Sequence, residues 1–176
     1  GRNFAARNAE GMFLHPHSVD AAGAVVKDMH RRLRAVGRNP DDLSFLVFKT
    51  FIVGSTEEEA KRKSLEADEY LSSDASLAFF SSTLGTDLSE VELDSPIGSL
   101  ETNALQGHLR ALIEAAPNKE WTFRELVTTL TGARTVGTPE QIADEVERWQ
   151  SAGIHGFNVN SITGPENTYD FLDYAV

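Results

Sequence analysis

Two histidines near the N-terminus have a spacing that could bind a metal ion. His15 and His17 lie on either side of Pro16, so in an extended segment both imidazoles point to the same side, as metal ligands do. No third ligand follows at a recognisable spacing. A polar loop at the end of a strand is therefore the favoured interpretation, and we predict no metal site.

Two asparagines near the C-terminus could fix a ligand. Asn158 and Asn160 lie at the end of the apolar run Phe157–Val159 and, being two residues apart, point to the same side of an extended chain. Polar side chains at the carboxyl end of a buried strand often face the pocket of an α/β enzyme. The alternative is that both residues only favour the turn before Gly164. We predict that Asn158 and Asn160 contact the substrate.

The helix that begins after Thr138 could hold a phosphate on its free backbone N–H groups. However, Glu140 already places a carboxylate in the first turn, where it would repel an anion. Thr138 and Gln141 have the spacing of a capping box, and Pro139 occupies the first helical position, where a missing N–H costs nothing. A structural cap is the favoured interpretation.

No recognisable catalytic constellation is present. The sequence contains no nucleophile with its base, no glycine-rich phosphate loop and no spaced set of metal ligands. His155, beside Gly156, is isolated and is predicted to be a packing or surface residue rather than a general base. We therefore assign no catalytic residue.

The composition limits the classes of function. The chain has 176 residues, 40% of them hydrophobic, which suits one ordinary domain. Its net charge of −11, without a basic cluster interleaved with aromatics, argues against nucleic-acid binding. The absence of cysteine excludes thiol chemistry. No apolar stretch is long enough for a membrane span or a signal peptide, so we expect a soluble, cytoplasmic protein.

Three parts of the chain repeat one order of elements: a helix, a glycine and a short apolar run. The apolar runs are Gly11–Leu14, Leu43–Val53 and Phe157–Val159, and the glycines are Gly11, Gly37 and Gly153. Helices that alternate with apolar strands are typical of an α/β fold with a parallel sheet. The run Leu43–Val53 is too continuously apolar for a strand with one wet face, so we predict that it is buried on both sides.

Residues 54–137 separate the second apolar run from the third helix–strand unit. Their pattern predicts several helices, including one across Leu105–Ile113 and one that begins at Thr122 with Glu125 at the capping-box position. Loops that leave the carboxyl ends of strands build the active-site face of parallel α/β folds. We therefore predict a helical insertion that lies over the pocket.

Six segments, taken in order, carry a family resemblance. They are GRNFAARNAEGMF (1–13), AVGRNPDDLSFLV (35–47), IVGSTEEEAKRK (52–63), SSTLGTDLSEVELDSPI (81–97), ETNALQG (101–107) and VGTPEQIADEVERWQSAGIHGFNV (136–159). Together they resemble the C-terminal part of the bacterial luciferase-like flavin-dependent monooxygenases, in the branch that holds nitrilotriacetate, dibenzothiophene-sulfone and long-chain alkane monooxygenases. The resemblance covers nearly the whole chain.

The resemblance implies a partial (β/α)8 TIM barrel. Gly11–Leu14, Leu43–Phe48 and Phe157–Val159 would be its sixth, seventh and eighth strands, that is, the last three, and the helical insertion 54–137 would follow the seventh strand. Three strands alone would leave apolar sheet edges unpaired. Because both ends of the chain also look cut, we expect residues 1–176 to be the C-terminal part of one barrel domain in a longer polypeptide.

The resemblance also implies a function. Family members are two-component FMN-dependent monooxygenases: a separate NAD(P)H:flavin reductase supplies reduced FMN, which reacts with O2 so that one oxygen atom enters a small organic substrate. Gly1 and Arg2 would lie beside the FMN phosphate, and a full-length homo-oligomer is expected. Two alternatives stay open: a deazaflavin-dependent oxidoreductase on the same barrel, and a non-catalytic barrel remnant.

Overall fold

The computed structural model describes most of the chain. The described residues are 1–16, 18–70, 72–84, 87, 92, 94–96, 119–125, 134–162 and 164–175. They form two compact units, one made of Gly1–Leu65 with Arg134–Val176 and the other of Glu66–Ala133. The sheet and the candidate site belong to the first unit.

Short strands alternate with helices along the described chain. The strands are β1 (Gly11–Leu14), β2 (Ser44–Val53), β3 (Arg134–Gly137) and β4 (Gly156–Val159). The helices are α1 (Arg2–Asn8), α2 (Val19–Ala35), α3 (Glu57–Glu69), α4 (Ser73–Leu84), α5 (Pro139–Ser151) and α6 (Glu166–Ala175), and a 3-10 turn covers Pro40–Asp42. Helix α3 begins in the first unit and ends in the second. No helix in the described ranges is long and apolar enough to cross a membrane.

Strand β2 is the centre of a parallel sheet. Its first four residues pair with β1, Leu46–Lys49 pair with β4, and Thr50–Val53 pair with β3, in every case in parallel. Because β1 and β4 both pair with Leu46 and Val47, they flank β2 on opposite edges. The predicted α/β fold with a parallel sheet is confirmed.

Strand β3 was not predicted from the sequence. It lies inside the range 54–137, which the sequence assigned to the helical insertion, and it pairs with the second half of β2. Its residues, Arg134–Gly137, are too short and too polar to stand out as an apolar run. The described sheet therefore has four strands rather than the three predicted. Its central strand ends at Val53, as the apolar run Leu43–Val53 predicted, and not at Phe48, the end that the family resemblance implied.

The predicted helix boundaries are confirmed by their caps. In α5 the Gln141 amide N–H donates to Thr138 Oγ1 at 3.4 Å, and the Thr138 amide N–H donates to Gln141 Oε1 at 3.0 Å. The glycines that follow α2 and α5, Gly37 and Gly153, have φ of 79° and 91°, a backbone conformation that favours glycine. These local signals are the reason why the sequence located both helices.

Outside the first unit, one predicted cap is also found. The Thr122 amide N–H donates to Glu125 Oε2 at 3.1 Å, and the Glu125 amide N–H donates to Thr122 Oγ1 at 3.3 Å. The helix predicted across Leu105–Ile113 lies outside the described residues.

Helices α2 and α5 pack on one face of the sheet. Their buried side chains, including Met29 and Trp149, form one core with Leu14 and Val47 of the strands. On the other face Phe48 is 42% exposed. The prediction that this strand is buried on both sides is therefore wrong for the first half of β2. In the last four residues of β2 every side chain is buried.

Candidate functional site

The uncovered face of the sheet carries two aromatic side chains. Phe13 in β1 is in register with Leu46 of β2, and Phe48 of β2 is in register with Asn158 of β4. In-register residues of neighbouring strands point to the same face, and so do residues two apart on one strand. Phe13, Leu46, Phe48 and Asn158 therefore share one face, the open face below, on which Phe13 is 54% exposed.

The open face ends in an imidazole, a phenyl ring and an amide. His15 directly follows β1, and its ring centroid lies 6.3 Å from that of Phe48, with the two planes tilted by 40°. Asn158 is exposed next to Phe48. We call His15, Phe48 and Asn158 the strand-end cluster, because β1 and β4 both end next to Phe48. The last residue of β1 pairs with the residue before Phe48, and the last residue of β4 pairs with the residue after it.

Only one of the two histidines that were considered as metal ligands is described. His15 belongs to the strand-end cluster, whereas His17 lies outside the described residues. Within the part of the chain that the structure describes, no group of three His, Cys, Asp or Glu side chains could hold a metal ion.

The two predicted substrate asparagines lie at the exit of β4. Asn158 is its third residue, beside Phe48. Asn160 lies one residue past β4, and its amide N–H donates to the Lys49 carbonyl at 2.8 Å, which extends the ladder to β2 by one bond. The contact of Asn158 and Asn160 with a substrate stays a prediction.

Gly1 and Arg2, the predicted neighbours of the cofactor phosphate, are the N-cap and the first residue of α1. The Arg2 guanidinium donates to Asp28 Oδ2 at 3.0 Å. Asp28 also accepts from Arg32 at 2.8 Å and from Arg31 at 2.5 Å, and these hydrogen bonds hold the pKa of its carboxyl far below the ordinary range. Arg2 therefore has a partner within the protein, and its contact with a phosphate stays a prediction.

Lys49 belongs to the covered face of the sheet. Its Nζ lies 4.7 Å from the ring centroid of Trp149 in α5 and 3.4 Å from Thr135 Oγ1. Burial lowers the pKa of Lys49, and the nearby Glu145 carboxylate opposes that shift. A lysine that packs beneath a helix in this way stabilises the sheet–helix contact and does not contribute to the open face.

Sequence patterns gave no reason to single out Asn167, a buried polar side chain that contacts the exit of β4. It lies in the first turn of α6 and is only 6% exposed. An asparagine two residues after Gly164-Pro165 has the appearance of a turn former. Its bond to the Phe51 carbonyl spans 116 positions of sequence, so no local signal could have identified that contact.

His155 has a structural role at the start of the β2–β4 ladder. Its Nδ1 accepts from the Phe45 amide N–H at 3.1 Å, and its own amide N–H donates to the Phe45 carbonyl at 2.8 Å. Phe45 is fully buried, so no water can replace this acceptor. The geometry agrees with the prediction that His155 is a packing or surface residue.

Replacing His155 with alanine is expected to lower the free energy of unfolding by about 1–3 kcal/mol, because the buried Phe45 N–H loses its acceptor. His155→Asn places an amide oxygen near the position of Nδ1 and should retain most of the stability. Urea unfolding of both variants measures the difference. Equal losses in the two variants would contradict the role assigned to Nδ1.

Comparison with protein families identifies the type of barrel to which this sheet is related. Residues 1–156 match the model of the luciferase-like monooxygenases. The chain belongs to this family. The luciferase-like monooxygenases are flavoproteins related to the TIM barrel, and the parallel α/β sheet described above matches that fold.

Several curated relatives align with the whole chain. It is 33% identical to dimethyl-sulfide monooxygenase from Hyphomicrobium sulfonivorans, and the alignment covers 100% of this chain and 38% of the relative. Long-chain alkane monooxygenase from Geobacillus thermodenitrificans is 32% identical, with coverage of 100% and 37%. Nitrilotriacetate monooxygenase component A from Aminobacter aminovorans is 31% identical, with coverage of 100% and 41%. The luciferase-like chain thus spans about two-fifths of the length of these relatives.

Solved structures show the same fold. The crystal structure of DmoA from Hyphomicrobium sulfonivorans superposes with a TM-score of 0.80 at 32% identity, covering 99% of this chain and 38% of DmoA. The structure of a riboflavin lyase with modified FMN and riboflavin gives a TM-score of 0.76 at 26% identity, with coverage of 99% and 39%. Both structures therefore support the assignment of the chain to the luciferase-like fold.

Proposed function

We propose that the full-length protein is a two-component FMN-dependent monooxygenase that uses reduced FMN and O2 to insert one oxygen atom into a small organic substrate. The observation that carries the proposal is the strand-end cluster on an open face of a luciferase-like sheet. The named activities of the relatives support oxygen insertion. The designation of one relative as component A supports a separate NAD(P)H:flavin reductase as partner.

The open face supports a barrel in the full-length protein. Parallel sheets are covered on both faces, yet Phe13 and Phe48 are half-exposed. In the proposed barrel β1, β2 and β4 are the sixth, seventh and eighth strands, and the open face points to the barrel interior. Residues 54–137 would then be an insertion over the pocket. The last four residues of this insertion form β3 and pair with β2.

The residues of the open face fit a flavin or an apolar substrate. Aromatic side chains such as Phe48 offer an apolar surface on which a planar ring can pack. The amide of Asn158 supplies both a donor and an acceptor for polar ring atoms. Gly1 and Arg2 would approach the phosphate, since Gly1 has open space around it and Arg2 carries a positive charge.

In a site of this kind the flavin carries out most of the chemistry, and the protein contributes little of it. Bound reduced FMN supplies the activation of dioxygen. The side chains of this chain orient the substrate and exclude water from the reacting atoms. This division explains why the described residues show no catalytic constellation of their own.

Oxygen consumption by the full-length protein tests the proposal. The assay contains FMN, an NADH-dependent flavin reductase and one of four compounds: dimethyl sulfide, a long-chain alkane, nitrilotriacetate or dibenzothiophene sulfone. We expect one of these to stimulate oxygen consumption, and omission of FMN or of the reductase to abolish it. Turnover without flavin would contradict the proposal. Tighter binding of a deazaflavin than of FMN would instead support the oxidoreductase alternative, and a folded protein that binds neither would support a non-catalytic remnant.

Replacing Asn158 with alanine is expected to raise the KM for that substrate about tenfold, because one hydrogen bond to the ligand is lost. Asn8→Ala is the matched control, since Asn8 is an exposed asparagine at the end of α1 whose side chain donates to the Phe4 carbonyl. Steady-state kinetics of both variants measure the difference. A KM that is equal in the two variants would remove Asn158 from the site.

A further inference from the structure

We infer that Asn167 is a positioning residue that holds the exit of β4, so that Asn158 and Asn160 keep the orientation that the ligand requires. The inference rests on the proposed function of the strand ends. It concerns a residue that does not belong to the strand-end cluster and acts through the backbone that follows Asn158.

The amide nitrogen of Asn167 connects β2 with the residue that follows β4. Its Nδ2 donates to the Phe51 carbonyl of β2 at 3.2 Å and to the Asn160 carbonyl at 3.4 Å. These are the two N–H groups that a side-chain amide has. The exit of β4 is thereby tied to the central strand of the sheet.

The amide oxygen of Asn167 holds the next two residues of the same exit. Oδ1 accepts from Ser161 Oγ at 3.0 Å and from the Ile162 amide N–H at 3.1 Å. With the two bonds from Nδ2, all four hydrogen-bonding positions of the side chain are used. Three consecutive residues, 160–162, are therefore fixed by one buried side chain.

The bonds of Asn167 continue the hydrogen bonding along one edge of β2 beyond the end of β4. The last backbone bond between the β4 exit and β2 runs from the Asn160 N–H to the Lys49 carbonyl. Successive carbonyls of a strand point to opposite edges, so the Phe51 carbonyl is the next one on the edge that faces β4. The Asn167 side chain donates to it in place of the backbone N–H of a neighbouring strand.

Helix α6, which carries Asn167, packs against Phe51 of β2. Phe171, one turn further along α6, stacks on Phe51 with ring centroids 4.4 Å apart and planes only 10° from parallel. The carbonyl and the side chain of Phe51 thus both contact α6. A side chain anchored in this way can transmit the position of the helix to the strand exit.

The test uses Asn167→Asp in the full-length protein. This change keeps the shape and Oδ1 but turns an N–H donor into an oxygen that faces two carbonyls. We expect the amides of residues 160–162 to exchange hydrogen about tenfold faster or more, and the KM for the substrate identified by the oxygen assay to rise about 10- to 100-fold. Lowering the pH protonates the introduced carboxyl and restores one donor, so the ratio of variant to wild-type activity should increase as the pH falls.

A double-mutant cycle separates positioning from general destabilisation. If Asn167 acts through Asn158 and Asn160, Asn167→Asp should raise KM much less in a background that carries both Asn158→Ala and Asn160→Ala than in the wild type. Equal fold-changes in both backgrounds would overturn the inference. A folded Asn167→Asp protein whose exchange rates and KM both stay within about twofold of wild type would overturn it as well.

A milder variant covers the case in which Asn167→Asp does not fold. Ser161→Ala removes one of the four bonds, and we expect the Ile162 amide exchange rate and the KM to rise about two- to fivefold, whereas unchanged values would overturn the inference. The measurement of amide exchange needs no substrate. Exchange rates that do not change would therefore count against the role of Asn167 and not against the proposed function. A wild-type protein without flavin-dependent oxygen consumption counts against the proposed function alone.

Discussion

Replacing Gly54 with alanine is expected to lower the free energy of unfolding by about 3 kcal/mol. Gly54 links β2 to α3, and a Cβ at this position would lie 2.4 Å from the Ala60 amide nitrogen and 2.8 Å from the Thr56 carbonyl oxygen. Both are backbone atoms, so no side chain can rotate away and relieve the contact. The turn or the first turn of α3 must shift, and the ladder bond from the Gly54 N–H to the Gly137 carbonyl is strained with it.

Gly11→Ala is the matched control for this prediction. Gly11 begins β1, and no atom lies within 4 Å of a Cβ built there. Its replacement should change the free energy of unfolding by no more than about 0.5 kcal/mol. Urea unfolding of both variants measures the two changes in the free energy of unfolding. Similar losses of stability for Gly54→Ala and Gly11→Ala would contradict the close backbone contact between Gly54 and the first turn of α3.

Replacing Phe51 with alanine is expected to cost about 3–5 kcal/mol of stability. Phe51 is fully buried, stacks on Phe171 and meets Phe157 edge to face with ring centroids 5.5 Å apart. Truncation would leave a cavity between β2 and α6, where all three rings meet. Because Asn167 also binds β2 at Phe51, the variant should loosen the β4 exit in addition to the core.

Tyr169→Ala provides the control on the same helix. Tyr169 belongs to α6 and is 59% exposed, so its truncation should leave most of the stability in place. Denaturant unfolding of the two variants gives the difference. A loss for Phe51→Ala that is no larger than that for Tyr169→Ala would mean that α6 does not pack on β2 as described.

Local signals in the sequence located most of the described elements. The capping box at Thr138 and Gln141 and the glycine at Gly153 define both ends of α5. These features work because they depend on residues within one turn of the helix. The apolar runs identified β1, β2 and β4 for a similar reason, since each is a continuous stretch of the chain.

Features that depend on distant partners were missed. Strand β3 is a strand only because Thr50–Val53 offer it an edge, and its own residues carry no apolar pattern. The exposure of Phe48 depends on which face α2 and α5 cover, which the composition of β2 does not encode. Asn167 bonds to Phe51 across 116 positions of sequence.

The candidate site was predictable only in part. Asn158 was singled out because it lies at the end of an apolar run, and that placement is what the structure has. Its proximity to Phe48 required the register between β2 and β4. The proposed cofactor and reaction came from family resemblance rather than from any constellation of reactive side chains, because in such enzymes the flavin carries the reaction.

Isotope labelling tests the proposed reaction most directly. The full-length protein is supplied with FMN, a flavin reductase, NADH and the compound that stimulates oxygen consumption, under ¹⁸O2 in unlabelled water. The product should contain a single ¹⁸O atom, and no product should form when FMN is omitted. A product whose oxygen comes from water, or one that forms without flavin, would contradict the assignment of this luciferase-like chain to a flavin-dependent monooxygenase.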